Sequence, residues 1–206
     1  MPASTSIATP ITPRQVLQAG TAVANMKAIA EKSGQTYVQN TPVQVDVAGA
    51  TGFIIACPAM TSVATAKIAG FSTQPGSNLT TSGVGKTLTT GQAVPNQSSA
   101  VVIPIGAPWA GADGLAYFNL ADPNVQFIGT FGDSSDNTLA VLAQAQVGGL
   151  FGLFKDPGNS FWYVDNHVIT TAAGACVEIT ELVDAIGTLN GKVQFRVTAA
   201  ASQLQA

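Results

Sequence analysis

Phosphate chemistry is the first suggestion of Thr80-Thr81-Ser82-Gly83-Val84-Gly85-Lys86-Thr87, which ends like the loop that cradles nucleotide phosphates. In that loop backbone donors, a lysine and a helix N-terminus converge on the anion. Here Thr80 stands where the motif needs its first glycine, and Leu88-Thr89-Thr90-Gly91 promises no helix. Asp133, Ser135 and Asn137 take the first, third and fifth places of a calcium loop, but Thr138 replaces the turn glycine and Gln144 the bidentate glutamate. A polar surface loop is the simpler reading. His167 is the single histidine and follows Asp165 by two residues, yet no Gly-x-Ser-x-Gly turn supplies an activated serine. Cys57 and Cys176 lie in no Cys-x-x-Cys pair, and a zinc site would need both of them, His167 and a fourth ligand. Their separation of about 120 residues fits two buried thiols better than a disulfide framework. These readings predict no catalytic residue, no cofactor and no metal.

The elements that carry these residues read as strands. Leu150 to Lys155 and Phe161 to Asp165 are apolar and aromatic runs separated by Asp156-Pro157-Gly158-Asn159. Proline presets φ at the first central position of such a turn and glycine accepts positive φ at the second, so a hairpin is predicted. In Lys192 to Thr198, Val193, Phe195 and Val197 alternate with polar residues, the period of a strand buried on one face. Asn190-Gly191 before it is a favoured tight-turn dipeptide. Further strands are predicted in Thr36 to Val47, Thr51 to Cys57, Val101 to Ile105, Leu115 to Phe118, Val125 to Phe131 and Ala175 to Val183. Thr138 to Val147 fits a short helix or a strand, and periodicity does not decide. Eight or more strands at short spacing favour a mainly β fold, an antiparallel β-sandwich or barrel.

Two regions depart from that pattern. Met1 to Ile11 has no charged side chain and two prolines, which predicts an extended arm able to lie along a neighbouring subunit, or else a tail with no role. After it, Thr12-Pro13-Arg14-Gln15 has the N-cap, first-position proline and third-position glutamine of a helix start, with Gly34 as its stop and Lys32 in the last turn. Val16, Ala19, Val23, Met26 and Ala30 are spaced as one narrow apolar stripe, so one α-helix is expected there. The organisation is then an arm and helix over 1–34 and a β-rich domain over 35–206, with a low-charge insertion near 59–99. A long loop of that kind usually carries interactions. Trp109 lies in a second turn-rich loop and suits core or rim packing.

Composition bounds the function. Charged residues are only 9% of the 206, against a usual share of about a quarter, while hydrophobic residues are 46%. So few charges cover a monomer poorly and point to surface hidden against partners. A net charge of −3 with eight scattered basic residues argues against nucleic acid as the main ligand. No apolar run approaches the roughly 18 to 20 residues of a membrane span, and Met1 to Pro10 lacks the pattern of a signal peptide. The expectation is a protein made in the cytoplasm and used without secretion.

One series of residues resembles a known family. Gly152, Leu153, Lys155 and Asp156, then Trp162, Tyr163, Val164 and Asp165, then Asn190 and Gly191, follow the order of the C-terminal half of decoration or cement proteins of tailed-bacteriophage heads. The likeness covers about fifty residues and rests on turn and core positions. It implies a noncatalytic virion protein in the phage head, made in the bacterial host, whose partners are the major capsid protein and its own copies in a symmetric oligomer, often a trimer. On that reading Ile7, Ile11, Val16, Val23, Met26, Phe71, Leu79 and Trp109 are the candidate capsid or subunit contacts. The alternatives are a tail-tube or neck protein, and a carbohydrate-binding or adhesion module with Trp109, Trp162 or Tyr163 as a stacking platform.

Overall fold

In a computed structural model the chain is described over residues 8–14, 26–32, 35, 37–49, 52–58, 60–61, 67–73, 76, 115–136, 138–167 and 175–204. The strongest alternating pattern in the sequence is a strand paired on both sides. Val193, Phe195 and Val197 lie in β12 (Lys192–Val197) and are fully buried. This strand pairs antiparallel with β11 (Val177–Leu182) on one side and β8 (Gln126–Gly132) on the other. The predicted hairpin is β9 (Leu150–Lys155) and β10 (Trp162–Asp165), with Trp162 opposite Lys155 and Val164 opposite Leu153. Its turn differs from expectation, because the positive φ falls at Ser160 (64°) rather than at Gly158.

These five strands close on themselves in the order β8, β10, β9, β11, β12 and back to β8. Closure removes exposed strand edges. The β8 and β10 pairing is parallel, through Val164 with Phe131 and Asp165 with Gly132, so the barrel is not purely antiparallel as the sequence suggested. Two short strands fill the remaining edges, β1 (Thr12–Arg14) along β8 and β5 (Met60–Thr61) along β9. Inside are Phe127, Phe131, Phe151, Leu153, Trp162, Val164, Ile179 and the three β12 side chains.

A second sheet runs β2 (Met26–Ala30), β7 (Leu115–Leu120), β6 (Gly70–Ser72), β3 (Pro42–Val45) and β4 (Ile54–Ala56), with every neighbour antiparallel. A bridge from Glu31 to Ile54 brings its two ends together, and the Lys32 amide donates to the Ile54 carbonyl at 2.9 Å. At Gly70 a Cβ would run into the Asn119 carbonyl and the Phe118 ring, so glycine is what allows β6 to approach β7. Tyr37, Val43, Ile54, Phe118 and Leu120 fill this sheet's own core. Phe71 and Ile68 instead enter the barrel cluster, which joins the two sheets through shared apolar packing.

The expected helix over 12–34 is not what the described part of that region forms. Thr12–Arg14 and Met26–Ala30 are strands, and 15–25 lies outside the described residues. The 3.6-residue spacing of small apolar residues is a weak signal against open strand edges on β8 and β7, whose backbone groups are satisfied by pairing. Pro13 is tolerated because β1 is a short edge strand. The arm is also corrected over 8–11: it lies on its own barrel. The Ala8 amide donates to Asp156 Oδ2 (3.1 Å), Thr9 donates to Thr130 Oγ1 (3.1 Å), and Asn159 Nδ2 donates to the Ala8 carbonyl (2.7 Å). The start of the 59–99 insertion is sheet structure as well, since β5 and β6 fall in it. In the ambiguous stretch 138–147, residues Gln144–Gln146 make one short 3-10 turn and Val141 makes a strand-like bridge.

Candidate interaction surface

The expected contact residues divide three ways. Ile11 is fully buried and Phe71 is 1% exposed, so both are core residues and neither can meet a partner. Ile11 packs under β8 and Phe71 between the sheets, which an apolar residue flanked by polar ones does not reveal in sequence. Met26 is 61% exposed and remains available. Ile7, Val16, Val23, Leu79 and Trp109 lie outside the described residues, as do the phosphate-loop stretch 80–87 and the predicted strand 101–105.

An apolar surface that sequence reading missed lies at one end of the barrel. Segment 139–142 alternates in burial: Ala140 and Leu142 are in the core while Leu139 and Val141 point outward at 56% and 41% exposure. A strand with one buried face normally turns polar side chains to water. Beside it runs the loop between β11 and β12, with Val183, Ile186 and Leu189 exposed at 42%, 64% and 49%. The two segments are tied by backbone bonds: Leu142 N to Thr188 O (3.0 Å), Gly187 N to Leu142 O (2.8 Å) and Asn190 N to Ala140 O (2.8 Å). Val141 and Leu189 face each other across an antiparallel bridge. Val141 and Leu189 thus lie side by side, and Leu139, Val183 and Ile186 expose further branched side chains on the same two segments. Apolar side chains exposed in number rather than singly mark an interaction surface. The available signal was Ile186 and Leu189 set beside Gly187 in a loop, where polar residues are usual.

The polar candidates are committed to local bonds. Asp133 accepts from Ser135 N (2.9 Å), Ser135 Oγ (2.6 Å), Asp136 N (3.1 Å) and Asn166 Nδ2 (3.1 Å). Burial raises its pKa, but these bonds outweigh that and hold the carboxyl below its usual value. Asp165 accepts from the backbone and hydroxyl of Ser134 (2.8 and 2.7 Å) and from the His167 amide (3.2 Å), while His167 itself is exposed. That geometry orders a loop. Among the described residues no cluster of three or more His, Cys, Asp or Glu side chains gathers.

The aromatic and thiol candidates are interior. Trp162 and Tyr163 are 1% and 3% exposed, so neither offers a face to a sugar. Burial, then the neighbouring carboxylates Asp165, Asp156 and Asp133, pushes the Tyr163 hydroxyl above its usual range. Cys57 and Cys176 are both buried and are not joined in a disulfide. Burial pushes Cys176 up to about 12, and burial and then the nearby Cys176 raise Cys57 well above the usual thiol value. No family model, curated protein or solved structure matches this chain.

Proposed function

We propose that this chain is a noncatalytic virion structural protein that binds and stabilises the capsid shell of a tailed phage, as a decoration or cement protein does. The observation that carries the reading is the outward apolar face of 139–141 and 183–189, held rigid by backbone bonds in a chain with 9% charged residues. Such a face is suited to burial against the major capsid protein. The mechanism is mass action: a protein that binds the assembled shell and not its separated subunits stabilises the shell by that difference in binding free energy. Repetition over a lattice multiplies modest contacts.

The test is sedimentation of the purified protein alone and mixed with phage heads that lack it, followed by particle imaging. Density at ordered lattice positions supports the proposal. Failure to bind heads, with ring or tube formation by the protein alone, moves the assignment to a tail-tube or neck protein.

A further inference from the structure

The net charge of −3 comes from eleven acidic and eight basic residues, and it is concentrated in one place. Segments 133–142 and 181–192, which carry the outward apolar side chains, hold Asp133, Asp136, Glu181 and Asp184 against Lys192 as their one basic residue. The seven acidic and seven basic residues of the remaining chain therefore balance, so the whole net charge lies on the segments that form the apolar face. Two of the carboxylates border that face directly. Asp136 and Asp184 are exposed; the Leu139 amide donates to the Asp136 carbonyl at 3.0 Å, and Asp184 follows Val183 in the chain. Local bonds fix both. Asp136 Oδ1 accepts from the Thr138 amide (2.9 Å) and hydroxyl (2.8 Å), and Asp184 Oδ2 accepts from the Lys192 amide (2.8 Å), so each uses one oxygen.

An apolar face bordered by carboxylates selects its partner by sign. Complementary charge at the rim of an interface raises the rate of encounter and turns away like-charged surfaces, while the apolar centre supplies the burial. Two copies of this chain packed by this face would set like charges against each other, and the balanced remainder of the chain offers no net positive charge in exchange. A second copy is therefore a poor occupant. We propose that this face docks on a different protein, at a surface whose apolar centre is rimmed by lysine and arginine side chains. Leu139, Val141, Ile186 and Leu189 meet the centre, and Asp136 and Asp184 meet the rim. The proposal rests on the reading of this face as the shell contact and adds the sign of the surface it meets.

The experiment titrates the full chain onto phage heads that lack it, in sodium chloride below and above the roughly 0.1 M at which charges are screened over about 10 Å. Asp136→Asn with Asp184→Asn removes two charges and keeps an acceptor oxygen at each position. Met26→Lys with Val47→Lys makes the same change in net charge at exposed residues of β2 and the β3–β4 turn. Binding should weaken as salt rises, and the asparagine pair should bind roughly threefold to tenfold more weakly at low salt, with the lysine pair unchanged. Binding unchanged by the asparagine pair, or weakened equally by the lysine pair, overturns the proposal and leaves the capsid reading standing. If heads take up no protein, the capsid reading fails, and the sign is decided by surface plasmon resonance over monolayers of methyl-terminated thiols mixed with quaternary-ammonium or with carboxylate thiols. Retention on the ammonium monolayer alone, reduced by the asparagine pair and by Ile186→Ser with Leu189→Ser, supports the proposal; retention on both monolayers, or unchanged by either pair, overturns it. Self-association of the protein alone that Ile186→Asp abolishes makes a second copy the occupant and overturns it as well. Circular dichroism of each variant separates lost binding from lost folding.

Discussion

The ring centroids of Phe71 and Phe127 lie 4.5 Å apart, and this contact joins the second sheet to the barrel. Phe195 completes the cluster at 6.1 Å from Phe71 and 6.0 Å from Phe127. Replacing Phe71 by alanine removes a fully buried ring from both partners and leaves a cavity that neighbours can only partly fill. The expected cost is about 3–5 kcal/mol, read as a lower urea midpoint. A loss below about 1 kcal/mol would show that the sheets are held together elsewhere.

Asp156 links the β9–β10 turn to the N-terminal segment, accepting from Gly158 N at 2.7 Å with one oxygen and from Ala8 N at 3.1 Å with the other. Asp156→Ala leaves two amides without their acceptor, one of them in a buried pair, at a cost of about 1–3 kcal/mol. Because Ile11 and β1 follow Ala8 directly, hydrogen exchange should quicken first at 8–14. Uniform loosening of the whole barrel, with 8–14 no faster than the rest, would contradict this role.

Where the sequence was informative, a local rule and the tertiary environment agreed. Val193, Phe195 and Val197 alternate because one face of β12 is core, and Asp156-Pro157-Gly158-Asn159 turns the chain whatever surrounds it. Where it misled, tertiary pairing overrode local preference. Thr12-Pro13-Arg14 has a helix start's residues, yet β8 offers an unpaired edge, and pairing there places Ile11 in the barrel core. Phe71 looked like a loop aromatic because β6 is only three residues long, too short to show a period. The apolar face of Leu139 and Val141 is hidden in the sequence for the opposite reason: both sides of the alternation are apolar, Ala140 and Leu142 inward and Leu139 and Val141 outward.

Acid should weaken the fold partly through Asp133. Burial raises its pKa, but its hydrogen bonds overcome that and keep it below the ordinary aspartate value, so the charged form is favoured by folding. For a depressed carboxyl the stabilisation is fully present above the unfolded-state pKa and is lost as pH falls through the folded-state value. Urea midpoints of the native protein and Asp133→Asn, which keeps one acceptor oxygen but no charge, should therefore differ near neutral pH and converge as pH falls through the depressed folded-state value. A gap that stays constant across this range would remove the charge from the explanation.

Both thiols should be inert in the folded protein. The thiolate is the reactive form, and burial pushes Cys176 up to about 12 and raises Cys57 well above the usual thiol value. Native protein treated with iodoacetamide at mildly alkaline pH should remain unlabelled, whereas both cysteines should react in urea, as read by intact mass. Rapid labelling of Cys57 in native protein would show that the packing around it opens to solvent.

The outward face at 139–141 and 183–189 should matter for association and hardly at all for folding. Ile186 and Leu189 are 64% and 49% exposed, so changing both to aspartate removes little buried area, and the urea midpoint should move by no more than about 0.5 kcal/mol per site. Two carboxylates placed there would have to be desolvated against any apolar partner, which burial does not tolerate without a counterion. Occupancy on heads should therefore fall steeply in Ile186→Asp with Leu189→Asp, while circular dichroism and monomer sedimentation stay as in the native protein. The single change Met26→Asp, at an exposed residue of β2 on the other sheet, serves as the comparison. Equal occupancy for the double variant and the native protein would show that this face is not the contact, and a loss confined to Met26→Asp would shift the contact to the second sheet.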